Sequence, residues 1–332
     1  MKKGYLTLIF VAAIALFAAC RGPISLEGLT NEEALKVLDS RIKKDKDNAD
    51  LYFQRGKILL EMGKQQNDKN YITNAIKDFE AAIELDDENI DYYIALGDAY
   101  FSRGDFGNSY SALQKALKID ENNFDASLKM GEIAFYSKDY DLAMENLNKV
   151  TAKDKNNTTA LFMKGFIYKE IGDTANAVTL FRKVIDLHPD YEPAYEELGL
   201  LYAQYKNKLA VEYLNTALTL EPQNINVLYG LAMLYQELED ADLANEYYVK
   251  ILEIDPNNKY AWYNRGWMEL VLYEDYQSAI EFFTKAIECD NRYADAYYNC
   301  GVAYENLGEK AKAKQYYDET LAIDPKYEKL NK

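Results

Sequence analysis

The chain has 332 residues, of which 30 are Tyr, six Pro, three Cys and one His, with 55 acidic against 38 basic residues. A formal charge of −17 disfavours nucleic acid and anionic lipid headgroups as partners, because both repel an acidic surface. One His removes most metal sites and most imidazole acid–base chemistry, and 48% hydrophobic content excludes a disordered chain. Many aromatics with little Gly and Pro point to a mostly helical protein.

Residues 1–19 read as an address. Lys2 and Lys3 are followed by an apolar run from Leu6 to Ala19, which suits the core of a signal peptide and is too short to span a bilayer. Its end, Leu16-Phe17-Ala18-Ala19-Cys20, resembles a bacterial lipobox. That resemblance implies cleavage before Cys20, lipidation (palmitate among the acyl chains) of the Cys20 side, and attachment to a membrane. Arg21 follows in place of an inner-membrane retention Asp, so the expected location is the outer membrane of a Gram-negative cell envelope, with the body facing the periplasm. Residues 20–29 then form the lipidated Cys and a tether. Thr30-Asn31-Glu32-Glu33 makes a capping box, and residues 30–48 are expected to be a half-repeat that covers the first full one.

From residue 49 to 327 the chain repeats itself. Gly56, Gly97, Gly131, Gly165, Gly199, Ala232, Gly266 and Gly301 follow one another at spacings of 41, 34, 34, 34, 33, 34 and 35. A small column lies about twelve residues later, Ala75, Ser109, Ala143, Ala177, Ala210, Ala244, Ala279 and Ala313. Four residues beyond it stands a bulky column: Phe79, Leu113, Leu147, Phe181, Leu214, Tyr248, Phe283 and Tyr317. Gly inside a helix costs about 1 kcal/mol against Ala, so its recurrence at one phase requires close helix approach. The expected contact is Gly against the small column, with the bulky residue filling the groove one turn on. Gly63, Gly104, Gly172 and Gly308 come seven residues after the first column and suit left-handed helix ends. Pro189, Pro222, Pro256 and Pro325 stop second helices.

These columns resemble the tetratricopeptide repeat, most fully in Tyr195-x-x-Leu198-Gly199-x-x-Tyr202 with Ala210, Leu214, Ala217 and Pro222. The resemblance implies an all-α, right-handed superhelical solenoid of about eight helix–turn–helix repeats over 49–327, with 328–332 a stub. Three departures stand out. The first repeat is seven residues longer, the third has Ser127 and Ala134 where aromatics belong, and Glu269 replaces a Tyr without evident reason.

No chemistry assembles along the chain. There is no Gly-rich phosphate loop, Asp45–Asp50 fails as a calcium loop at Ala49 and Asp50, and His188 is an ordinary helix-end residue. No enzyme, cofactor or metal is expected. Cys289 and Cys300 are read either as buried thiols or as a disulfide between the last two repeats.

In tetratricopeptide proteins the first helices line the inner surface and ligands lie along it. Carried over position by position, this implies Phe53, Lys57, Ile94, Asp98, Leu128 and Glu132 in the early repeats, with Asp50, Asp91 and Asp125 nearby. In the later repeats it implies an apolar partner groove of Phe162, Phe166, Tyr229, Met233, Tyr263, Trp267 and Tyr298, with Glu196, Leu200 and Val302 between them. The Lys and Asn residues that clamp an acidic peptide terminus do not line up. The expected function is a membrane-anchored scaffold lipoprotein that binds a protein or peptide segment, for envelope assembly, secretion or cell-wall enzyme organisation. The alternative is a binding module that captures glycan or peptide for uptake, since aromatic platforms also stack on sugars.

Overall fold

A computed structural model describes residues 26–330 of the chain. The described residues form 17 α-helices and no strand, the all-α class expected from the periodicity. They fall into two compact units, one ending at Lys153 and one beginning at Asp154. The address segment, Cys20 and residues 20–25 of the tether lie outside the described residues.

The first unit opens with α1 (Asn31–Lys44). Its Thr30 hydroxyl accepts from the Glu33 amide while the Glu33 carboxylate accepts from the Thr30 amide, which satisfies two otherwise orphaned donors. Leu38 and Ile42 bury against Leu51 of the first hairpin. Three hairpins follow: α2 (Ala49–Gln66) with α3 (Lys69–Leu85), α4 (Ile90–Arg103) with α5 (Phe106–Ile119), and α6 (Phe124–Tyr136) with α7 (Tyr140–Lys153). The second unit holds five: α8 (Thr158–Glu170) with α9 (Thr174–Leu187), α10 (Glu192–Gln204) with α11 (Leu209–Leu220), α12 (Ile225–Glu237) with α13 (Ala241–Ile254), α14 (Lys259–Met268) with α15 (Tyr276–Cys289), and α16 (Ala294–Asn306) with α17 (Lys310–Ile323).

One expectation about packing is corrected. The residue that meets each column glycine is the bulky one, not the small one. A β-carbon at Gly56 would lie 2.6 Å from the Phe79 ring, at Gly165 2.8 Å from Phe181, and at Gly199 2.5 Å from Leu214. In the second repeat the small-column residue sits beside the glycine carbonyl, the Ser109 hydroxyl donating to the Gly97 oxygen. Glycine is therefore required because the partner ring or isobutyl group occupies the space of its side chain.

Gly63 is a second correction. It is buried inside α2, where an added β-carbon would meet Ile72 at 2.6 Å, and the left-handed turn falls on Asn67. The seven extra residues of this repeat lengthen both helices, to 18 and 17 residues. Gly104, Gly172 and Gly308 do take positive φ, near 80°. Where the repeat lacks glycine at that turn, Lys138, Lys206 and Glu239 adopt the same left-handed backbone at φ 50–62°. A side chain there is strained by about 1 kcal/mol. Lys206→Gly and Glu239→Gly are each expected to raise the unfolding free energy by about 0.5–1 kcal/mol, read as a higher urea midpoint at unchanged m-value.

The departures have physical readings. Ser127 is buried with its hydroxyl lacking a hydrogen-bond partner, as is one Asn146 oxygen, so the third hairpin carries orphaned polar atoms where other repeats carry rings. At Glu269, thirteen residues separate the two columns (Gly266 to Ala279) against twelve in the repeat before it (Ala232 to Ala244), and Glu269–Tyr273 absorbs the extra one as a π-helical turn. In three other repeats the corresponding tyrosine stacks on a ring of the second helix: Tyr202 on Tyr213, Tyr235 on Tyr247 and Tyr304 on Tyr316. In this repeat the ring is Phe282, and it is covered by Trp262 and by the Arg265 guanidinium at 4.2 Å. The tyrosine is therefore dispensable there.

The opening aromatics also have a second use. Tyr195 Oη donates to the Pro189 carbonyl and Trp262 Nε1 to the Pro256 carbonyl, both at 3.0 Å, so the motif ring fastens the turn that precedes its own helix.

Candidate functional site

Successive first helices of the first unit pack side by side, so residues one repeat apart share a row. Ile94 and Leu128, Asp91 and Asp125, and Ala95 and Lys129 each differ by 34, one period, while Lys64 and Asp98 meet across the longer first repeat, whose period is 41. Together with Phe53 and Lys57 they surround an open pocket of about 540 Å³, within the range of natural ligand sites. Its apolar floor is Phe53, Leu60, Phe79, Ile94 and Leu128. Gly56 is what admits the Phe79 ring beneath α2, and Phe53 packs on that ring and on Tyr92, with centroids 5.9 and 4.8 Å apart.

Five of the six inward positions read from the early repeats line this pocket: Phe53, Lys57, Ile94, Asp98 and Leu128. The sixth, Glu132, pairs with the lining residue Lys129 at 2.9 Å. Lys64, Lys129 and Glu61 were not read from the sequence. The roles of the two lysines depend on the ion pairs that the stacking creates. Asp98 takes Lys64 at 2.6 Å and Lys129 at 3.5 Å. Burial works against the Lys129 ammonium, but the Asp98 and Glu132 carboxylates outweigh it and hold its pKa above the usual lysine value. The Lys57 ammonium lies 5.4 Å from the centre of the Phe53 ring. Asp91 and Asp125, in the first turns of α4 and α6, are exposed and form no ion pair among the described residues.

The seven groove residues read from the later repeats lie on first helices of the second unit, every one half-buried. Phe162 packs on Phe181 and Tyr191, with centroids 5.5 and 5.4 Å apart, and Phe166 faces the Lys169 ammonium at 4.0 Å. The structure brings Tyr229, Met233 and Trp267 into one cluster, and Tyr263, Trp267 and Val302 into another. Tyr298 packs on Tyr317 and Tyr327 beneath the Lys329 ammonium.

What the sequence did not reveal is a stitch between repeats. Asn264 Nδ2 donates to Tyr229 Oη and Asn299 Nδ2 to Tyr263 Oη, each at 2.9 Å and each reaching back one repeat. Met233 Sδ accepts from Tyr248 Oη. Burial raises the Tyr263 phenol to about 12. The Tyr229 and Tyr263 hydroxyls thus accept from neighbouring helices, while both side chains remain half-buried.

Both cysteines are free thiols, which decides between the two readings of the pair. Cys300 is fully buried, and burial raises its thiol to about 12. Cys289, only half-buried, is also raised by burial. In a chain carrying Cys20→Ala, thiol titration with a disulfide reagent at pH 8 is expected to modify Cys289 in the folded state, with Cys300 reacting only after denaturant is added. His188 caps the end of α9, its amide donating to the Val184 carbonyl. No helix among the described residues is long and apolar enough to cross a membrane.

Comparisons with known proteins agree with this architecture. Models described as tetratricopeptide repeat match residues 159–191, 201–265 and 294–327, and one described as TPR repeat matches 97–136 and 270–308. Among solved structures, the C-terminal part of a TPR repeat-containing protein from Cytophaga hutchinsonii is similar with a TM-score of 0.60 at 19% identity, covering 71% of this chain and 97% of that one. The pilF protein of Pseudomonas aeruginosa is similar with a TM-score of 0.53 at 23% identity, covering 68% and 98%. At these identities the likeness concerns the fold. A UDP-N-acetylglucosamine–peptide N-acetylglucosaminyltransferase of Giardia intestinalis is 30% identical over 112 residues, 33% of this chain. The chain spans only 8% of that relative's length, and the match is one of repeat sequence.

Proposed function

We propose that this chain of tetratricopeptide repeats is a membrane-tethered scaffold that holds a protein or peptide segment against the inner faces of its hairpins. Its place would be the outer membrane of a bacterial cell, facing the periplasm, in envelope assembly, secretion or the organisation of cell-wall enzymes. The observation that carries the binding reading is the pocket of the first unit. Residues spaced one repeat apart converge there on an apolar floor with charged walls, the composition of a site for chain segments and not of a reaction centre. The ring edges of Phe162, Phe166, Tyr229, Met233, Tyr263, Trp267 and Tyr298 supply a second apolar contact surface in the other unit. Capture of glycan draws less support, because two of the tyrosine hydroxyls that would face a sugar are taken by Asn264 and Asn299.

The tether rests on the lipobox resemblance at Cys20. A Cys20→Ala chain is expected to leave the membrane fraction, and one that stays bound would contradict lipidation. Binding is tested by chemical crosslinking in isolated membranes, comparing the natural chain with a Tyr263→Ala/Trp267→Ala variant and a Leu128→Glu variant. Loss of a specific crosslinked partner in either variant supports the reading. Full recovery in both sinks it.

A further inference from the structure

We propose that the pocket of the first unit selects a basic residue within an apolar segment, a Lys or Arg flanked by aliphatic or aromatic side chains. This rests on the reading that the inner face binds chain segments, and it assigns the chemistry of the segment.

The pocket wall holds more carboxylate than its own lysines neutralise. Two of the three lysines in the wall are not available to receive a ligand carboxylate. Lys64 and Lys129 both close on Asp98, and Lys129 also closes on Glu132, so that end of the pocket is internally neutralised. Lys57 lies over the Phe53 ring. The carboxylates left over are Glu61, Asp91 and Asp125, which outnumber that one remaining ammonium. Asp91 and Asp125 stand in the first turns of neighbouring first helices. Stacking at a 34-residue period places them in one row above the apolar floor.

A ligand that fits must therefore bring apolar surface for Phe53, Ile94 and Leu128, and positive charge for Asp91 and Asp125. A lysine or arginine supplies both in one side chain, since its methylene stem packs on apolar groups while its head remains at the rim. A guanidinium can bridge two carboxylates through its fork of donors. An acidic segment meets net negative charge in the pocket and a body of charge −17 around it. This preference is the reverse of the acidic-peptide clamp, whose Lys and Asn positions the chain lacks.

The test is selection of a bead-displayed random heptapeptide library on the purified full chain, scored by residue frequencies. Enrichment of Lys or Arg beside aliphatic or aromatic residues is expected, falling at least tenfold on an Asp91→Asn/Asp125→Asn variant that still retains apolar peptides. Enrichment of Asp or Glu, basic enrichment unchanged in that variant, or no enrichment at all overturns the proposal. A Leu128→Gln chain, checked for helical content by circular dichroism, removes apolar floor without adding charge and so distinguishes the pocket from the cation preference. If it retains the same peptides as the natural chain, binding lies elsewhere and the pocket reading fails as well. If it loses them but the peptides are acidic, the pocket stands and only the cation preference falls.

Discussion

Truncating Phe181 to alanine is expected to lower the unfolding free energy of the second unit by about 4 kcal/mol. The ring is fully buried and stands where the side chain of residue 165 would be. Gly165→Ala tests the same contact from the other side. Its methyl would lie 2.8 Å from Phe181 Cε1 and 3.0 Å from Cδ1, so a ring or a helix must shift. Overpacking costs up to about 3 kcal/mol, offset by roughly 1 kcal/mol of helix propensity, for a net loss of about 2 kcal/mol. The double variant decides whether the contact is real. With the ring gone the new methyl enters vacated space, so the double variant should be more stable than the two losses added together, by about 1 kcal/mol or more. Both tryptophans, Trp262 and Trp267, lie in this unit, and their fluorescence in a urea titration reports on it. Strict additivity would mean that the glycine column exists for some other reason.

The second large effect lies at the start of the array. Arg55 donates from Nε to Asp78 at 2.8 Å and from Nη2 at 2.6 Å, and reaches Asp39 of α1 through Nη1 at 2.6 Å. Asp78 is nearly buried; burial pushes its carboxyl above the usual range, and the Arg55 hydrogen bonds pull it back. Hydrogen bonding to Asp78 in turn raises the Arg55 guanidinium. Asp39 is half exposed and contributes little. Arg55→Met leaves the Asp78 carboxylate buried without its cation, at a cost of about 3 kcal/mol at pH 7. The ceiling is the free energy of protonating it there, about 4 kcal/mol for an ordinary Asp. The sign of the pH dependence follows. In the variant the folded chain holds the Asp78 proton to higher pH than the unfolded chain does. Stability is therefore retained at low pH and lost as pH rises, by up to about 1.4 kcal/mol per unit above pH 4. Denaturation at pH 4.5 and pH 7 measures it, with the variant's deficit shrinking at the lower value. A deficit equal at both would remove Asp78 as its cause.

How much of this was legible in the sequence depends on which interactions recur at the repeat period. The glycine, small and bulky columns were readable because each marks a contact made again every 34 residues, and a chance pattern would not hold that phase. Their mutual geometry was not. The columns show that glycine is needed, but only the helix-pair distance shows that Phe181 or Leu214, and not alanine, fills the space. Gly63 was misread because its spacing from Gly56 matches a helix end, while the seven extra residues carry α2 on to Gln66 and move the turn to Asn67. The π turn at Glu269–Tyr273 left a visible trace, one additional residue before Ala279, which spacing arithmetic alone could have caught.

The candidate site divides the same way. Phe53, Lys57, Ile94, Asp98 and Leu128 were found by counting from the glycines, because an inward position is a matter of helical phase. The pairing of Lys64 and Lys129 with Asp98 was hidden, since a charged residue on a helix is most often solvated, and only stacking decides which three converge. In the second unit the phase was again readable, but the hydrogen bonds from Asn264 and Asn299 that occupy Tyr229 and Tyr263 were not, because nothing in a single repeat announces a partner in the next. Cys289 and Cys300 illustrate the same limit: spacing admits a bridge, and only coordinates separate the two thiols.

The central claim is that the chain binds its partner on the inner face of the first unit. Site-specific photo-crosslinking in living cells tests it most directly. A benzophenone amino acid replaces Leu128 in one chain, and Lys149, an exposed residue of the second helix α7, in another. A discrete crosslinked species is expected from position 128 and none from position 149. Crosslinks from position 149 with silence at position 128 would contradict it.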